Sequence, residues 1–102
     1  MPYFALINQG TADEEMTFGL ETVENVENFV DQNVKSGHYE PLKDNLITVT
    51  ILDMAYRMDG TREVKKMYLW DFDYGAPVKV EEKEIMSHLG LKDSEEVVPS
   101  DD

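Results

Sequence analysis

There is no cysteine in this chain. That excludes disulfides, thiol nucleophiles and thiolate metal sites together. Basic residues are scarce: nine Lys and Arg stand against 22 Asp and Glu, a formal charge of −13 at neutral pH. A surface this negative repels phosphate, which argues against direct binding to nucleic acid or to an anionic membrane and favours a basic partner. Long apolar runs are missing too. The opening Met-Pro-Tyr-Phe-Ala-Leu-Ile-Asn lacks a basic n-region, and its apolar run is about half what a signal peptide or membrane span needs. A cytoplasmic protein is expected. The six glycines and four serines are scattered, so neither a phosphate-cradling loop nor a nucleophile elbow can be traced.

What is present reads as one folded domain. A chain of 102 residues builds a single modest core, and 41% apolar residues supply it. Five of the ten aromatics lie between residues 46 and 74, where two β-prone runs flank Asp59-Gly60, a strong hairpin signal. With Asp59 and Gly60 as a two-residue loop, Met58 faces Thr61, Ile47 meets Phe72, Val49 meets Trp70, Ile51 meets Tyr68 and Ala55 meets Val64. A one-residue slip would set Ile47 against Asp71 and mix the faces. Asp53 and Lys66 then fall opposite each other. Either they form a cross-strand ion pair beyond the edge of a covering helix, the reading preferred, or a bulge shifts the register there.

Before the ribbon, Tyr3 to Asn8 reads as a buried strand, residues 9–13 as a turn, and Met16 to Leu20 as a returning strand weakened by Gly19. Thr22 offers an N-cap. Val23, Val26, Phe29, Val30 and Val34 then form one helical stripe, closed by Gly37. Pro41 forbids helix in the connection to the ribbon. After a break at Gly75-Ala76-Pro77, Val80 to Leu89 reads as a short amphipathic helix with Ile85, Met86 and Leu89, followed by Gly90. Residues 92–102 cannot bury enough apolar area and are expected to be a disordered acidic tail. The fold class is α+β in the order β-β-α-β-β-α, about four antiparallel strands with one main helix across the apolar face and a short C-terminal helix. Residues 1–91 form the domain, and Tyr68, Trp70 and Phe72 pack against Val26, Val30 and Val34.

Chemical signatures are weak. Asp71-Phe72-Asp73-Tyr74-Gly75 begins like a calcium loop, but the glycine arrives early and Pro77 stiffens the chain beyond it. It reads as a strand with outward acids, and no metal or cofactor is expected. His38 and His88 have no partner at metal-ligand spacing, and a His/Asp pair could form only by tertiary approach. The charge distribution says more. Residues 1–45 carry net −7, residues 46–75 net −1 and residues 76–102 net −5. The ribbon is nearly neutral and the acids surround it.

The function expected is therefore non-enzymatic. Glu14, Glu15, Glu21, Glu24, Glu27 and Asp31 would form an acidic face that engages a basic surface, as an inhibitor or DNA mimic does with a nuclease or another nucleic-acid-binding protein. In composition alone the chain resembles phage or mobile-element accessory proteins. The alternative is a structural or assembly protein whose homodimer buries the second ribbon face, where Leu52, Met54, Tyr56, Met67 and Leu69 are too many large apolar groups for a solvated surface.

Overall fold

A computed structural model describes residues 2–97, with side chains described as far as residue 91. The elements are β1 (Tyr3–Ile7), β2 (Glu15–Met16), α1 (Val23–Lys35), β3 (Leu46–Tyr56), β4 (Arg62–Asp71), β5 (Val78–Glu81) and α2 (Glu82–Val97). The strands form one antiparallel sheet in the order β2-β1-β3-β4-β5. The α+β architecture with one main helix holds, and the sheet has five strands where about four were expected.

The additional strand is β5. Val78-Lys79-Val80-Glu81 alternates apolar and polar residues, but a run this short adjoining a helix reads equally as its first turn. Pairing with β4 decides, setting Lys79 opposite Trp70 and Val80 opposite Leu69. The helix consequently starts at Glu82 instead of Val80. It also continues through Gly90 to Val97, so the segment expected as an acidic tail begins within α2, and residues 98–102 lie outside the described residues. The returning strand is shorter than expected: only Glu15–Met16 is strand, followed by a single bridge from Leu20 to Tyr3.

The ribbon forms between β3 and β4 in a different register. Type I′ geometry for Asp59-Gly60 needs positive φ at both residues. Only Gly60 adopts it, at +85°. The loop is Met58-Asp59-Gly60, with the Gly60 N–H donating to the Arg57 carbonyl and the Asp59 carboxylate accepting from the Thr61 N–H at 3.0 Å. Two further shifts, one between Ile51 and Leu52 and one between Leu52 and Tyr56, leave Ile47 opposite Trp70 and Val49 opposite Tyr68. The net displacement is two residues, so each residue expected in the core keeps its face. Lys66 falls opposite Ile51 instead of Asp53. The bulge, not the edge ion pair, is what the chain adopts there.

Tyr68, Trp70, Ile47, Val49 and Ile51 form the core with Ala5, Ile7 and the α1 stripe, and Phe72 packs half-buried at its margin. Val26, Val30 and Val34 are fully buried. Burial contributes roughly 1.5–3 kcal/mol for each valine, against a helix-propensity cost of at most about 0.7 kcal/mol apiece. Packing wins. Thr22 Oγ1 caps the helix by accepting from the Asn25 N–H at 3.0 Å, and Gly37, at φ +83°, ends it. On the opposite face α2 packs against β4 and β5, where Leu69, Asp71 and Val80 are buried. No helix among the described residues is long and apolar enough to cross a membrane.

Two glycines separate backbone strain from helix propensity. Gly60→Ala forces a Cβ into left-handed backbone and should lower stability by about 1 kcal/mol. Gly90→Ala, whose added Cβ meets nothing within 4 Å, should raise it by up to about 1 kcal/mol. Urea unfolding of the two variants checks both signs.

Candidate functional site

The acidic side chains read as one face separate into three groups. Glu27 and Asp31, one turn apart on α1, point toward the sheet and are neutralised there. Lys66 Nζ lies 2.9 Å from both Glu27 oxygens. Lys79 Nζ reaches Asp31 at 2.7 Å and also bonds Glu27. The Tyr68 hydroxyl donates to Asp31 at 3.1 Å, and the Lys79 ammonium sits 4.4 Å from the centre of the Tyr68 ring. Burial by itself would raise the Glu27 carboxyl, but the hydrogen bonds from Lys79 and Lys66 outweigh it and hold it below its ordinary range. Lys66 is raised chiefly by its bond to Glu27. Burial would lower Lys79, yet its bonds to Asp31 and Glu27 raise it. Burial, then the Asp31 charge, pushes the Tyr68 hydroxyl far up. These acids fasten α1 to β4 and β5.

Glu21 and Glu24 are exposed at the start of α1, beside the bridge from Leu20 to Tyr3. Glu14 and Glu15 are exposed at the other end of β1, where Glu15 pairs with Ile7. Roughly 13 Å of strand separates the two pairs. They do not make one face.

What gathers instead is an acidic cleft at the Ile7 end of the sheet. Asp13, Glu15, His38 and Glu40 surround a cavity of about 250 Å³ floored by Asn8, and an adjoining cleft takes in Asp13, Lys43 and Asp44. Its walls are held by the local backbone. Asn8 is buried in a left-handed conformation at φ +56°, and its side-chain oxygen accepts from the Thr48 N–H at 3.3 Å. The Asn8 carbonyl accepts from the Thr11 hydroxyl at 2.7 Å, and the Thr11 oxygen accepts from the Asp13 N–H, which sets the acid-bearing turn. Opposite it, buried Tyr39 anchors the α1–β3 connection, with its hydroxyl raised by burial and then by the Glu15 charge. Glu40 escaped the sequence reading because 24 residues of chain lie between it and Glu15. Only the pairing of β1 with β3 brings the two loops together. No ion pair among the described residues involves Asp13, Glu15 or Glu40.

The apolar residues of the second ribbon face also divide. Leu69 is buried at 3% exposure under α2 and Leu52 at 8%, whereas Met54 and Met67 remain 38% exposed and Tyr56 67%. Val64, opposite Leu52, adds to the uncovered part at 46%.

Asp71, expected to face outward, is fully buried beneath α2. Its Oδ2 lies 2.6 Å from His88 Nε2, and its Oδ1 accepts from the Asp73 N–H at 2.9 Å. His88 is accordingly mid-helix, not near a helix terminus, and Tyr74 stacks edge-on against its ring. This is the tertiary His/Asp approach that sequence spacing could not reveal. The contact joins the imidazole Nε2 to the carboxylate and ties α2 to β4. Among the described residues no three His, Asp or Glu side chains converge as metal ligands.

The α1 network has a pH signature. Lys79→Met strips Asp31 of its cation and should cost about 1–3 kcal/mol in urea unfolding near neutral pH. A carboxyl held below its ordinary value of 4.5 stabilises the fold above that value and ceases to do so as pH falls through the lowered one. The stability difference between wild type and Glu27→Gln should therefore be largest at neutral pH and shrink as pH falls below 4.5 and through the lowered value.

Compared with protein-family models, curated proteins and solved structures, the chain matches none of them.

Proposed function

We propose that this is a small non-enzymatic binding protein whose acidic end receives cationic side chains from a basic partner, as an inhibitor or DNA mimic of a nucleic-acid-binding protein or nuclease would. The supporting observation is the cleft between the β1–β2 turn and the α1–β3 connection, where Asp13, Glu15 and Glu40 converge without an ion pair among the described residues. Like charges held together raise the local potential and have no internal cation to neutralise them, so an incoming guanidinium or ammonium is favoured on approach and in contact. Glu27 and Asp31 contribute little outward charge because Lys66 and Lys79 already neutralise them. The composition suits a cytoplasmic protein of the phage or mobile-element accessory kind.

An arginine-rich peptide serves as the probe. Its affinity should fall about tenfold or more between roughly 0.05 and 0.3 M salt. The triple variant Asp13→Asn, Glu15→Gln, Glu40→Gln should lose most of that affinity at unchanged thermal stability, and Glu21→Gln with Glu24→Gln should lose little. Equal losses from both sets would leave a diffuse charge effect and reject the cleft.

The uncovered second face favours one further reading, a homodimer in a structural or assembly role. Met54, Tyr56, Val64 and Met67 form an exposed apolar strip on a ribbon that is otherwise nearly neutral, and two copies of so acidic a chain repel least there. Light scattering should then show a concentration-dependent mass in the wild type that Met67→Lys abolishes.

A further inference from the structure

The outer edge of β4 is half empty. β5 pairs with residues 68–71 and ends at Glu81, where the chain turns into α2. Among the described residues no strand continues the ladder along the outer side of residues 62–67. Phe72 donates its N–H to Asn45 across the ribbon. By antiparallel alternation Met67 therefore directs its N–H away from β3, into the lane that β5 vacates. A groove of about 460 Å³ lies along this lane, lined by Lys65, Lys66, Met67, Glu81, Glu82 and Lys83.

This corner also collects the cations of a chain that has few. Residues 57–66 hold four of the nine basic residues against two acids. Among the described residues Lys65 pairs only with exposed Glu63, at 3.2 Å, a contact of small worth in water. Arg62 makes no ion pair among the described residues. Its guanidinium lies over the rings of Tyr56 at 4.1 Å and Phe4 at 5.1 Å, and its Nε is buried without a hydrogen-bond partner. Lys83 is exposed on the far wall and also unpaired among the described residues. An open strand edge is ordinarily guarded against association. Here the lysines set a sign preference on what may add to it.

We propose that the Arg62–Met67 edge of β4 is a docking site for an acidic peptide segment in extended conformation, which continues the β5 lane as an added strand. Main-chain hydrogen bonds to the open edge would supply affinity. Val64 and Met67 would receive apolar side chains on one face, and Lys65 and Lys83 would select acidic residues. The site lies at the opposite corner of the sheet from the acidic cleft and opposite to it in charge.

The test is an NMR titration of the full chain with a blocked peptide of roughly eight residues alternating Glu and Val. Two controls are used: the same pattern with Lys for Glu, and alternating Glu and Pro, which keeps the charge but removes every second backbone donor and disfavours a paired strand. The Glu/Val peptide should shift the amides of residues 63–67 and slow hydrogen exchange at Met67. Lys65→Glu with Lys83→Glu should weaken it about tenfold or more while leaving the spectrum of the core unchanged, and the Lys and Pro peptides should not bind. Equal binding of the Glu/Pro peptide would mean electrostatic adhesion without strand addition and would overturn the proposal. So would no binding at low salt, or a Met67 amide already protected before any peptide is added.

Discussion

The pairing of β3 with β4 is the constraint on which everything else hangs. β3 is the middle strand of the sheet, and its residues from Val49 to Leu52 are buried consecutively, on both faces. α1 covers one face and α2 half of the other, so neither helix has a surface to pack on until the ribbon exists. The two register shifts are part of this arrangement. They turn Lys66 under α1, where it meets Glu27, and leave Tyr56, Arg62 and Val64 on the opposite side.

A chain this acidic must hold its negative charges close together to fold, and the structure shows where that repulsion is relieved. Lys66 and Lys79 bridge Glu27 and Asp31 across the α1–sheet seam, with Tyr68 as a hydrogen-bonding floor. Half-buried pairs of this kind gain from reduced solvent screening and are each bound to more than one partner, which separates them from the exposed Lys65–Glu63 contact. The His88–Asp71 pair does the same for α2. In both places a polar contact orients a helix whose apolar stripe would otherwise tolerate several rotations.

Committing scarce cations to these seams leaves the surface polarised. Among the described residues, carboxylates without ion-pair partners remain around the cleft at the Ile7 end, while the unpaired basic groups Arg57, Arg62 and Lys83 stand near the ribbon's far end and its open edge. A molecule with opposed local charge at opposite corners interacts by orientation as well as by net charge. Formal charge alone, −13 over the whole chain, conceals this.

Residue periodicity and turn chemistry determined much of the fold. The α1 stripe, its Thr22 and Gly37 boundaries, the ribbon and the face of each core residue were all legible, because 3.6- and 2-residue periods report burial directly and survive a two-residue register shift. The position of the turn was not, since Asp59 takes ordinary negative φ and only Gly60 the left-handed one. β5 was too short to declare its own period. The acidic face was misread for a different reason: helical spacing shows that Glu24, Glu27 and Asp31 share a flank, but not that two of them have lysines waiting 39 and 48 residues away. The cleft, the His88–Asp71 contact and the open β4 edge were decided only by tertiary structure. Each depends on distant segments meeting, and electrostatic energy depends on distance in space, which sequence separation does not encode.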